Sequence, residues 1–269
     1  MNIEIAFSDP GMLSAAQIAT DWRRILGVDL CDELSGLMDG KIVSFSEFCS
    51  TSEIALPYFI ASSASPERDT SVAVGAAGAP GSGLTHPISR ANVKLPARHE
   101  HLGPVVIAWG LQLASLINLR ILSAEYEFEQ NAKDPGFYAS HFGKQPSSPL
   151  IDNGLPFPVN AMVIDTSRHP GRRIFRVGYI EAVSAEMWLG PQFWPATNAR
   201  REDVLKAAAW LCEATELPNG VIYLKALDKP FTSGQGQEAE LQNRLRALLY
   251  PYSYRWAPTP DGKEERLIA

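Results

Sequence analysis

Apolar and polar positions alternate from Asn2 to Phe7, with Ile3, Ile5 and Phe7 on one face, and the run stops at Asp9-Pro10-Gly11. Period-two alternation closed by turn formers predicts a strand. At Ser14 the spacing changes. Ile18, Trp22, Ile25 and Leu26 recur at helical intervals, Ser14 and Gln17 form a capping-box pair, and Gly27 marks a stop, which predicts a helix over 14–26. Leu30, Leu34, Leu37 and Met38 predict a second, short helix ended by Gly40.

From Ile54 the chain reads as hairpin strands, Ile54–Ile60, Val72–Val74 and Ile88–Leu95, separated by Pro66 and by a loop with Gly75, Gly78, Gly81 and Gly83. Leu102–Asn118 is apolar nearly all round and fits either a buried helix or a strand plus a helix; its length favours the helix. Ile121–Glu129 alternates strictly, with Glu125, Glu127 and Glu129 against Tyr126 and Phe128, which predicts a half-buried strand with an acidic outer face. Pro135, Pro146, Pro149, Pro156 and Pro158 interrupt residues 134–158, so this segment reads as a hinge or a long surface loop.

Beyond it, Val159–Ile164, Arg173–Ile180 and Val221–Ala226 predict strands. Asn198 suits the cap of a helix with Glu202 and Asp203 in its first turn and Val204, Leu205, Ala208, Leu211 and Cys212 inward. Leu241, Leu245, Leu248 and Leu249 mark a last helix over 238–249, stopped by Pro251. This order of elements predicts an α+β fold, a largely antiparallel sheet with helices packed on one face. Residues 1–258 read as one compact domain, divisible into lobes 1–134 and 159–258 joined by the Pro-rich segment 135–158, and 259–269 read as a frayed tail.

Charge narrows the classes. Twenty-four basic residues against thirty acidic ones leave a formal net charge of -6, which works against binding to phosphate backbones and suits a basic partner. Direct nucleic-acid binding is therefore not expected. Cys31, Cys49 and Cys212 are too widely spaced for a metal knuckle and suit a reducing compartment. The N-terminal residues lack the basic and apolar regions of a signal peptide, and no apolar run is long enough to span a membrane, so a cytoplasmic protein is expected.

Candidate chemistry is sparse. His99 and His101 could share one face of a strand and meet a metal, but no third ligand stands nearby. The Gly75–Gly83 loop lacks the Lys-Ser/Thr of a phosphate loop, and Ser82 is followed two positions on by Leu84, so it makes no nucleophile elbow. Glu181 and Glu186 could form an acid/base pair, although their spacing is also that of solvated surface charges. No catalytic, cofactor-binding or metal-ligating residues are assigned, and no cofactor is expected.

Two features suit recognition instead. Three like charges in a row favour a basic partner, and the aromatic turn at Trp188–Pro195 is either a contact surface or a core anchor. Glu125, Glu127, Glu129, Asp134, Trp188 and Trp194 are the partner-binding candidates; the plain alternatives are a solvated strand face and ordinary packing.

In the C-terminal half of this chain, Trp188-x-Gly-Pro-x-Phe-Trp194, Pro218-Asn-Gly-Val221 and Leu245-Arg-Ala-Leu-Leu-Tyr-Pro251 resemble immunity proteins from bacterial polymorphic-toxin and type VI secretion systems, in the group paired with restriction-endonuclease-like toxins. The resemblance implies a cytoplasmic protein that binds and neutralises a cognate toxin, a nuclease with a basic surface, without catalysis. It offers no catalytic residues to carry over and is compatible with a homodimer. The other readings left open are a hydrolase with a dispersed site near residues 75–83 and His99/His101, and an adaptor that uses the aromatic turn.

Overall fold

The computed structural model describes residues 1–8, 15–27, 31, 33–38, 41–45, 47, 58–63, 71–77, 88–176, 178–251, 255–258 and 264–267. The alternation at the N-terminus forms β1 (Asn2–Ser8), which lies inside a ten-stranded antiparallel sheet. On one side of β1 follow β7 (Leu116–Leu122), β12 (Glu186–Leu189), β14 (Ile222–Lys225) and β13 (Glu213–Glu216). On the other side follow β6 (Ile88–Lys94), β5 (Ser71–Ala77), β4 (Tyr58–Ser63), β2 (Leu34–Met38) and β3 (Lys41–Ser44). One sheet thus runs through both halves of the chain. The expected antiparallel α+β class is present, but helices cover both faces of the central strands where one face was expected.

The alternation explains why. Ile3, Ile5 and Phe7 of β1, Leu119 and Ile121 of β7 and Trp188 of β12 share one core with Trp22, Ile25 and Leu26 of α1 (Ala15–Leu26) and with Val106 and Trp109 of α2 (Gly103–Leu111). The Trp109 indole donates to Asp21 at 3.1 Å and joins those two helices. The intervening residues Ala6, Met187, Leu189, Ile222 and Leu224 face the other way. They pack beneath Phe193 of α5 (Phe193–Thr197), Val204 of α6 (Arg201–Lys206), and Leu245 and Leu249 of α7 (Gly236–Leu249). Each such side chain, fully buried, contributes roughly 1.5–3 kcal/mol.

Several expectations are corrected. The short helix expected around 30–38 is the strand β2, because β3 and β4 pair its backbone on both edges and an apolar run that short suits either form. Leu102–Asn118 is divided: a 3-10 turn over Ala97–Leu102, then α2 with Pro104 in its first turn, then β7. The strand expected over 121–129 ends at Leu122. Ser123 then caps α3 (Ala124–Asn131), accepting from the Tyr126 amide at 3.5 Å.

The Pro-rich hinge is α4 (Pro135–Phe142) followed by a hairpin, with Pro135 at the start of the helix where its missing N–H costs nothing. Asn198 closes α5 in a left-handed conformation (φ 56°) and does not cap the next helix, which ends at Lys206, short of Cys212. Arg173–Ile180 is two strands, β10 (Ile174–Arg176) and β11 (Tyr179–Glu181), turned at Gly178 with φ 82°. Near the C-terminus, β15 (Arg255–Pro258) pairs with β16 (Glu264–Leu267). Ser14, Cys49, and the loop residues Gly78, Gly81, Ser82 and Gly83 lie outside the described residues. Among the described residues no helix is long and apolar enough to cross a membrane.

Candidate functional site

The segment read as a hinge builds a small lobe. Helices α3 and α4 and the hairpin of β8 (Leu150–Asp152) and β9 (Met162–Ile164) meet over a local core of Ala132, Tyr138, Ile164 and Phe142. Asp134 fixes the start of α4 by accepting from the Phe137 amide at 2.6 Å. What this core leaves outside is unusual. Of ten exposed large apolar residues among the described ones, eight belong to this lobe: Phe128 and Phe137 on its helices, and Leu150, Ile151, Leu155, Phe157, Val159 and Met162 on its hairpin. Phe128 and Phe137 meet edge to face at 5.6 Å, and His141 stacks on Phe137 at the same distance.

The lobe's position is set by a buried ion cluster beneath it. Glu4 on β1 stands opposite Arg120 on β7, each 1% exposed. Arg120 Nε donates to Glu4 Oε1 at 2.7 Å, and its Nη1 reaches Glu127 of α3. Arg173 Nη1 lies 3.2 Å from Glu4 and 3.7 Å from Glu127. Burial raises the Glu4 pKa, but Arg120, Arg173 and Arg90 outweigh it and hold the carboxyl below its usual range. Asn131 adds a neutral tie at the end of α3, accepting from the Arg173 amide at 2.6 Å.

The acidic row is therefore not a row. On a helix, Glu127 projects away from the face shared by Glu125 and Glu129. Glu127 is spent on Arg120 and Arg173, and Glu129 accepts from the Tyr138 hydroxyl at 2.8 Å and pairs with Lys144, while Glu125 stays exposed. Burial raises the Glu129 pKa, yet the hydrogen bonds from Lys144 and Tyr138 outweigh it and lower the carboxyl overall.

Trp188 is buried in β12 against Tyr223, with ring centroids 5.0 Å apart, and the half-buried Trp194 carries the Arg201 guanidinium over its ring at 5.5 Å. The aromatic turn is thus packed chiefly inward. Glu181 is not a solvated charge: it is buried and receives Arg246 at 2.7 Å and Arg176 at 2.9 Å. Glu186 accepts from the Tyr223 hydroxyl at 2.8 Å. His99 and His101 lie on the 3-10 turn with ring centroids 6.3 Å apart, and no group of three metal-ligating side chains occurs among the described residues.

Beside the lobe opens a cleft of about 520 Å³, bounded by Glu129, Gln130 and Tyr138, by residues 144–148, by Arg168–Pro170 and by Thr232–Gln235. Inside it Ser148 Oγ lies 2.6 Å from His169 Nε2, and His169 Nδ1 lies 2.8 Å from the Gln130 carbonyl oxygen. A carbonyl only accepts, so Nδ1 carries the proton, and Nε2 of the neutral ring accepts from the serine. A hydroxyl with an oriented base is one half of a nucleophilic site. The other half, an oxyanion donor, cannot come from the next residue, since Pro149 has no N–H. The pair escaped the sequence reading because its members are 21 residues apart in loops without a motif.

No protein-family model matches this chain, and no curated protein matches it. Among solved structures, the fold is similar to that of the Pseudomonas aeruginosa T6SS protein PA0821, with a TM-score of 0.51 and 11% sequence identity over 100% of this chain and 78% of the other. A likeness at that identity is one of fold.

Proposed function

We propose that this chain is an immunity protein, which binds a cognate antibacterial toxin, a nuclease with a basic surface, and neutralises it by contact. The lobe carries this reading. Scattered apolar residues are normal on a surface, but a concentration of them on one substructure marks an interface. Over residues 124–167, with Glu127 neutralised by Arg120 and Arg173 and Glu129 paired with Lys144, the carboxylates Glu125, Asp134, Asp152 and Asp165 stand against Lys133. That balance favours a basic partner and speeds its approach. Nucleases are basic where they meet phosphates. The fold likeness to a protein named for the type VI secretion system, and the resemblance carried by residues 188–251, support a secreted bacterial toxin as that partner.

The test is growth. Co-expression of this chain with the toxin encoded beside it is expected to restore viability, and the two are expected to co-purify as a complex whose association slows with added salt. Neither protection nor binding with that neighbour would remove the reading.

A second reading, a hydrolase, is favoured by the Ser148–His169 pair in its cleft. A fluorophosphonate probe tests it directly: the serine oxygen bonds to phosphorus, fluoride leaves, and His169 takes the hydroxyl proton. An active pair would label the wild-type chain at Ser148 and lose the label in Ser148→Ala and His169→Ala. Unlabelled wild-type protein would end the hydrolase reading and leave Ser148 as a tie that orders its loop.

A further inference from the structure

We infer that the tip of the β8–β9 hairpin, residues 153–160, is a pre-organised plug whose Phe157 enters a concave apolar pocket on the toxin. This deepens the proposed function and rests on it. Phe157 is 88% exposed, the most exposed large apolar side chain among the described residues, and Leu155 and Val159 on either side of it are more than half exposed. Folding gains little from Phe157, because most of its area stays in water.

The tip is nonetheless held in one shape by its own hydrogen bonds. The Asn153 amide donates to the Ala161 carbonyl at 3.0 Å and its side chain to the Val159 carbonyl at 2.9 Å. The Gly154 amide donates to Asp152 at 2.7 Å, the Leu155 amide to Asn153 at 3.1 Å, and the Val159 amide to the Pro156 carbonyl at 3.0 Å. The base is tied as well, with the Ile164 amide bonded to the Lys133 carbonyl and the Asp165 amide to the Pro149 carbonyl. An apolar loop already fixed in shape has little ordering entropy left to lose when it docks.

Charge identifies the occupant's rim. Asp152 ends β8 beside the tip and accepts the Gly154 amide, while Asp165 follows β9 at the base of the hairpin and accepts the Ser167 amide. The pocket that takes Phe157 therefore offers a lysine or arginine to Asp152 at its rim. A second copy of this chain carries the same formal net charge of -6 and is disfavoured as the occupant.

The experiment measures the affinity of wild type, Phe157→Ala and Val105→Ala for the toxin encoded beside this chain, purified with its catalytic residues substituted. Val105 is an exposed apolar residue on α2, outside the lobe, and serves as the control. Phe157→Ala is expected to keep the wild-type melting temperature and circular dichroism while its Kd weakens about a hundredfold, as loss of a central aromatic anchor does. Val105→Ala is expected to bind as wild type. Tight wild-type binding that Phe157→Ala leaves unchanged overturns the plug and spares the immunity reading. A wild-type chain that does not bind the toxin overturns both. A wild-type dimer that Phe157→Ala dissolves assigns the tip to a second copy and overturns the toxin pocket.

Discussion

Arg120→Met is expected to cost about 3–5 kcal/mol of folding stability, seen as a lower urea midpoint, because it strands buried carboxylates that its guanidinium now neutralises. Glu4 would keep only Arg173 at 3.2 Å and Arg90 at 3.7 Å, and Glu127 only Arg173 at 3.7 Å. Removing one member of a buried pair costs far more than the pair's net worth, since the remaining charge stays out of water. Exposed pairs such as Lys206–Asp203 are expected to move stability by less than about 1 kcal/mol. Acid should act through the same cluster. The folded pKa of Glu4 lies below its unfolded value, so its contribution is complete above the unfolded pKa and disappears as pH falls through the folded one. The melting temperature of wild type should therefore fall below about pH 4.5, the ordinary glutamate range. In Arg120→Met that fall should be shallower, because less of the depression remains to be lost.

The parts of the fold legible in the sequence are those where burial on one side writes a period into the chain. β1 and α7 are of this kind, with Ile3, Ile5 and Phe7 on one core and Leu245 and Leu249 on the other. The same rule hid Glu4. It falls on the polar side of the alternation, which sequence reasoning assigns to water, yet helix α3 covers that side and Arg120 and Arg173 neutralise the charge there. Helix α3 was misread because alternating Glu and aromatic residues also satisfy a period of two. What decides for the helix is Ser123 at its cap and the reach of Glu127 down to Arg120, a contact with a residue that periodicity does not reveal. The lobe was illegible for a different reason. Its exposed apolar side chains serve no internal core, so they follow no period, and the prolines around them mark turns without saying what the turns present.

Gly190→Ala is expected to cost about 3 kcal/mol or more, and it tests why the aromatic turn is so distinctive. A Cβ at position 190 would lie 2.2 Å from the Leu116 carbonyl oxygen and 2.7 Å from its carbon, both backbone atoms at the start of β7. Neither segment is free to yield. The Gly190 amide is bonded to the Ile117 carbonyl at 2.8 Å and the Gln192 amide to the Leu116 carbonyl at 3.1 Å, while Trp188 and Phe193 on either side are buried in opposite cores. Gly27 offers the contrast. Its φ of 82° strains any side chain, but nothing lies within 4 Å of its Cβ, so Gly27→Ala should cost only about 1 kcal/mol. Equal losses in the two variants, measured by urea unfolding, would mean that β12 and β7 can part at that point without penalty. A much larger loss at Gly190 would make the Gly-Pro turn a packing requirement of the sheet. Any loss of protection in that variant should then follow the fraction of folded protein, whereas Phe157→Ala should lose binding while fully folded.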